Sequence, residues 1–259
     1  KFAAYTAAGV VILLAIAVGL FRLFLPRLPE YQEDIKDWAS AAIGMQVEFS
    51  GMDARWGLSG PELEFYDAEL IRPVTQSRLI AAEEVRVSVA LTRLLLEGER
   101  VVDRIVISDT SLEIRQLEDD RWWLQGAPID EVFGTAAGSN QRLSNVAVIG
   151  EDMQILFLQP GDQRPRFFDI PRATLSVDEN RLALAADVRL PEDLGRQLSV
   201  SATQLLASAE EEQQWDVFIE ADDIDLAGWS KLQKSADRRL LSGKGELDLS
   251  IAYAQGGVR

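Results

Sequence analysis

Three aspartates, Asp222, Asp223 and Asp225, carry the oxygen donors that a hard cation takes. Their spacing lacks the central glycine and distal glutamate of a calcium loop, and acids at a strand end are usually just solvated. Glu118-Asp119-Asp120 reads as a tight acidic turn, and Glu210-Glu211-Glu212 as an exposed loop. Gly243-Lys244-Gly245 has no helix after it and is not a phosphate loop. Serines and threonines are present, but the chain has 0 histidines and 0 cysteines. The commonest general base, the commonest metal ligand and any thiol nucleophile are therefore missing. Trp122 and Trp123 are adjacent, so in a strand one faces in and one out. They could clamp a ligand, though packing at the edge of a core is the commoner use. No catalytic residue, metal site or cofactor is expected.

The net charge of -16 repels nucleic-acid phosphates, so no nucleic acid is expected, nor a broad face for anionic headgroups. With 47% apolar residues, a large oily surface must be covered by something.

Residues 2–21 carry no charge and are dominated by Ala, Val, Ile and Leu. As a helix at ~1.5 Å per residue they would span ~30 Å, the thickness of bilayer hydrocarbon. Arg22 and Arg27 end the run, and Pro26 and Pro29 break the helix. A transmembrane anchor is the expectation. A cleaved signal peptide fits less well, because the small-residue site Ala15-Ile16-Ala17 lies inside the apolar run. On charge bias alone, Arg22 and Arg27 would lie on the cytoplasmic side.

Beyond the anchor, Ile35, Trp38, Ala39, Ala42 and Ile43 recur at helical spacing, predicting an amphipathic helix over 31–43 that plugs one end of the strand-rich region. From Gln46 the period becomes two. Strands are expected at 47–50, 62–72, 79–91, 101–108, 112–117, 143–149, 153–159, 166–170, 173–177, 181–190, 197–208, 215–224 and 244–253, with a turn at Asp109-Thr110. Short helices are expected at 92–97 and 225–233. Residues 127–140, with Pro128, Gly134, Gly138 and Ser139, read as the break between two halves.

This is a long antiparallel meander with one apolar face and one wet face. The helices are too few to cover a dozen strands. Either the sheet folds on itself as a sandwich or barrel, or it stays open and holds something other than protein.

Ile43-Gly44-Met45-Gln46-Val47-Glu48-Phe49-Ser50-Gly51, downstream of the anchor, resembles the helix-to-strand signature of the AsmA-like family. Leu63 to Leu70, Ala82 to Val89, Leu94-Leu95, Ile105 to Ile114 and Asp119 to Trp123 keep the same element order. Ala221-Asp222-Asp223-Ile224-Asp225-Leu226 with Trp229 is most similar to the YhdP branch. The resemblance implies a bridge-like lipid transfer protein of repeating β-groove units. It implies a single-pass protein of a bacterial inner membrane, with the sheet in the periplasm, opposite to the charge bias. Phospholipids would be the cargo, and inner- and outer-membrane proteins the partners at the rod ends.

The expected fold is mainly β: an N-terminal transmembrane helix, a short amphipathic helix and a curled, open antiparallel sheet. The expected domains are 1–29 (anchor), 30–126 (N-terminal helix and first β-groove unit) and 127–259 (further units of a longer rod). The expected lining is Leu63, Phe65, Val87, Val89, Ile105, Ile107, Leu112, Ile114, Leu182, Leu184, Leu198, Val200, Val217, Ile219, Leu247 and Leu249. The alternative function is a membrane-anchored scaffold that docks an envelope partner through a sheet edge.

Overall fold

The computed structural model describes residues 19, 30–43, 45–57, 60–72, 76–89, 102–118, 121–129, 146–161, 164–178, 181–205, 214–232, 240–254 and 257–258. The expected anchor and the expected helix at 92–97 lie outside the described residues. Among the described residues, no helix is long and apolar enough to cross a membrane.

Helix α1 is Gln32–Ile43, with Glu33 and Asp34 in its first turn, where the helix dipole favours acids. Its Lys36 pairs with Glu33 (3.0 Å) and with Glu48 (3.4 Å), and its Nζ lies 5.2 Å from the centre of the Phe49 ring. The Val47 N–H donates to Ser40 Oγ (2.8 Å), so the helix is stitched to the first strand. Trp38, expected on the apolar stripe, is instead 60% exposed.

The strands are β1 (Gln46–Glu48), β2 (Gly51–Trp56), β3 (Pro61–Ile71), β4 (Arg78–Val89), β5 (Val102–Gln116), β6 (Trp122–Leu124), β7 (Ala127–Pro128), β8 (Val146–Leu158), β9 (Arg166–Val177), β10 (Arg181–Arg189), β11 (Gln197–Leu205), β12 (Gln214–Asp225), β13 (Lys244–Ala254) and β14 (Gly257–Val258). They form one 14-stranded sheet in the order β1-β3-β4-β5-β8-β9-β10-β11-β12-β13-β14. β2 sits beside β3, and β6 and β7 extend from β5. Among the described residues β1 and β14 do not pair, so the sheet is open.

Two expectations are corrected. The sheet is mixed, because β5 and β8 are parallel. Parallel neighbours need a long crossover, and residues 117–145 supply it. The expected breaks at Asp109-Thr110, at 150–152 and at 171–172 are also not strand ends, since β5, β8 and β9 run through them. Asp67, Asp109 and Asp152 have φ of 50°, 53° and 50°. Asp tolerates that left-handed backbone better than most residues, and it interrupts alternation without ending the strand. The registers place Asp67, Glu83, Asp109 and Asp152 in one row across four strands.

Between β12 and β13 lies helix α2, Leu226–Leu232. Asp225 Oδ1 accepts the Gly228 N–H (3.0 Å) and caps it. Trp229 Nε1 donates to the Leu194 carbonyl (2.8 Å), and Leu194, at 0% exposure, is the one large side chain fully buried among the described residues. Gly228 lies so close to the Asp193 carbonyl that no Cβ fits between them. A sheet of this size with so thin a core is a single layer: among the described residues no second sheet packs across its face.

Candidate functional site

Residues paired in register share a face of a sheet. One row therefore runs Ala54, Leu63, Val87, Ile105, Val148, Leu175, Leu184, Ala202, Val217 and Ile251 across ten strands. The next row runs Met52, Phe65, Val85, Ile107, Gly150, Ala173, Ala186, Val200, Ile219 and Leu249. Every position in both rows is apolar. At ~4.8 Å per strand the nine steps make a band ~43 Å long, with the two rows ~7 Å apart along the strands.

The band is shielded at one end and open at the other. Met52 and Ala54 are buried, and Phe49 packs on Phe65 with ring centroids 5.0 Å apart. Farther along, Leu184 is 39% exposed and Leu249 40% exposed. Such residues normally hide against a second layer, and among the described residues none is present.

Alternation sends charge to the opposite face. Arg55 pairs with Glu62 (2.9 Å) and Glu64 (2.8 Å), Arg86 with Glu84 (2.9 Å) and Glu151 (2.8 Å), and Arg172 approaches Glu151 at 3.9 Å. The Glu62 carboxylate beside Arg55 raises the guanidinium pKa. Loss of solvent, then the neighbouring Glu64, pushes the Tyr66 phenol up. These pairs are partly exposed and fix register more than they add stability.

Ten of the expected lining residues, Leu63, Phe65, Val87, Ile105, Ile107, Leu184, Val200, Val217, Ile219 and Leu249, fall in the two rows. Leu182, Leu198 and Leu247 lie one step outside, on the same face. Val89 pairs with Val102, and its side chain lies outside the described residues. Leu112 and Ile114 sit past Asp109 and pair with Ile155 and Phe157. There Trp122 stacks on Phe157 (5.6 Å) and Phe157 meets Phe168 edge-on (6.3 Å). Sequence reasoning did not single out Val148 or Leu175. Both alternate correctly, but the phase slips in β8 and β9 hid that they continue the row.

The aspartates at 222–225 have local roles. Asp225 caps α2, and Asp223, at φ 55°, pairs with Lys244 (3.0 Å). Among the described residues no group of three ligands could hold a metal ion.

The family model described as YhdP protein matches residues 1–259. The chain belongs to the YhdP family. It is also similar to the intermembrane phospholipid transporter YhdP of Escherichia coli strain K12, at 27% identity over 245 residues. That match takes in 86% of this chain but only 17% of the relative, so this YhdP-family chain spans about a sixth of the relative's length.

Proposed function

We propose that this chain is part of an inner-membrane-anchored, periplasmic phospholipid carrier, and that the apolar band is its lipid path. The observation that carries the reading is the pair of uncovered apolar rows. An acyl chain lying across the strands would displace water at ~25 cal/mol per Å² buried. One leaflet's acyl chains reach ~15 Å, half the hydrocarbon thickness, so a ~43 Å band has room for lipids in file. Headgroups stay in water beside the band, and no covalent bond is made or broken. The name of the relative supports phospholipid as cargo. The apolar run at 2–21 supports anchoring, and movement runs from the inner toward the outer membrane. The curl of the sheet and the units at 30–126 and 127–259 belong to this same proposal.

The test is photo-crosslinking from position 85, beside Ile107 in the same row, combined with native mass spectrometry of detergent-purified protein. Phospholipid should co-purify and crosslink, and Ile107→Asp should abolish the crosslink while the protein stays in the membrane fraction. A protein partner without lipid would instead favour the anchored scaffold.

A further inference from the structure

Helix α1 has three unlike sides. Lys36 and Ser40 hold β1 and the residue after it through Glu48, the Phe49 ring and the Val47 N–H, and Ile35 and Ala39 beside them are half-buried. Glu33, Asp34 and Asp37 are exposed and make a second side acidic. The third side carries Trp38 and, in the turn that opens the helix, Tyr31. The two are about two helical turns apart, so both rings lie on one flank. Tyr31 is 51% exposed and Trp38 60% exposed. Each ring has an apolar body and a polar tip. The boundary layer of a bilayer satisfies both ends, and Tyr and Trp gather there in membrane proteins.

The uncharged apolar run ends at Phe21, so nine residues, 22–30, separate it from Tyr31. Fully extended they reach ~30 Å, and α1 cannot stand farther than that from the end of the run. Resting on the anchoring reading, we infer that Tyr31 and Trp38 seat this flank of α1 in the headgroup layer of a phospholipid bilayer and so fix how the sheet stands on the membrane. The acidic side repels anionic headgroups, so the contact is made by the rings with zwitterionic lipid. Helix and sheet are coupled, because Lys36 reaches Glu48 and Phe49 while Ser40 accepts the Val47 N–H. Seating the helix therefore sets the angle at which β1, and β3 paired to it, meet the leaflet.

The full chain is reconstituted into phosphatidylcholine vesicles whose acyl chains carry bromine either near the ester or near the methyl end. Trp38 is one of 6 tryptophans, so its emission is taken as the wild-type spectrum minus that of Trp38→Phe. That difference emission should be shifted to shorter wavelength than indole in water, and bromine near the ester should quench it more than bromine near the methyl end. On oriented bilayers of the same lipid, polarised infrared spectra should show dichroism of the strand amides. The double variant Tyr31→Ser, Trp38→Ser should lose that dichroism while its thermal melt and its retention after an alkaline wash match the wild type. A wild type that stays in the vesicles but whose difference emission is unquenched at both depths would overturn the seating and leave the anchor standing. Dichroism that persists in the double variant would overturn the orienting role. Release of the wild type by the alkaline wash would overturn anchor and seating together.

Discussion

Leu184→Asp separates an uncovered apolar face from a packed core. Leu184 sits mid-row between Leu175 and Ala202 and is already 39% exposed. In the lipid-free protein the new carboxylate can reach water. The cost is part of a leucine's burial, about 1 kcal/mol, plus up to about 1 kcal/mol for Asp in a strand. A total of about 2 kcal/mol lowers Tm by roughly 4–8 °C. With lipid present, the same carboxylate faces methylenes. Losing contact with four of them at ~0.8 kcal/mol each, about 3 kcal/mol, weakens lipid retention by roughly two orders of magnitude. Phe218→Asp is the control, because Phe218 is 55% exposed and pairs with Ser201 and Ser250 on the other face. Purified variants are compared by thermal melts and by phospholipid per protein. Leu184→Asp should melt slightly lower and carry almost no lipid, and Phe218→Asp should carry the wild-type amount. Undiminished lipid in Leu184→Asp would refute the band. A loss above about 4 kcal/mol, as from burying an unpaired charge, would show that something covers Leu184.

Gly228→Ala should cost about 1–3 kcal/mol in urea unfolding and change Trp229 emission, because the added methyl collides with the Asp193 carbonyl. Asp109→Ala should lose about 1 kcal/mol, whereas Asp109→Gly should be close to neutral, since only glycine adopts φ 53° without strain. Equal urea midpoints for the two Asp109 variants would exclude backbone conformation as the reason for Asp there. The Glu48 carboxyl is held below its ordinary 4.5, first by the hydrogen bond from Gln46 and then by Lys36, against the opposing effect of burial. A depressed folded-state pKa gives stability that is present above 4.5 and lost as pH falls through the lower folded value. The protection factors of the α1 amides should therefore fall in acid below that point, and Gln46→Ala should shift the onset to higher pH.

Much of the site was legible because a strand has a period of two. Leu182, Leu184, Val200, Val217, Ile219 and Leu249 alternate with polar residues, so they share a face whatever their neighbours are. The absence of His and Cys was likewise plain before any fold was known. Resemblance across the chain supplied the family, and the family model agrees with it.

Strand order was different, because pairing is a contact between distant segments that leaves no local trace. Nothing in residues 102–116 or 146–158 marks them as parallel partners, since the choice depends on how 117–145 crosses over. The phase slips at Asp109 and Asp152 looked like breaks between strands, because an Asp between two alternating runs has the same composition in a hairpin and in a left-handed kink within a strand. Local sequence thus determined which side chains are oily and which way they point within each strand. Tertiary pairing decided that they line up into one band.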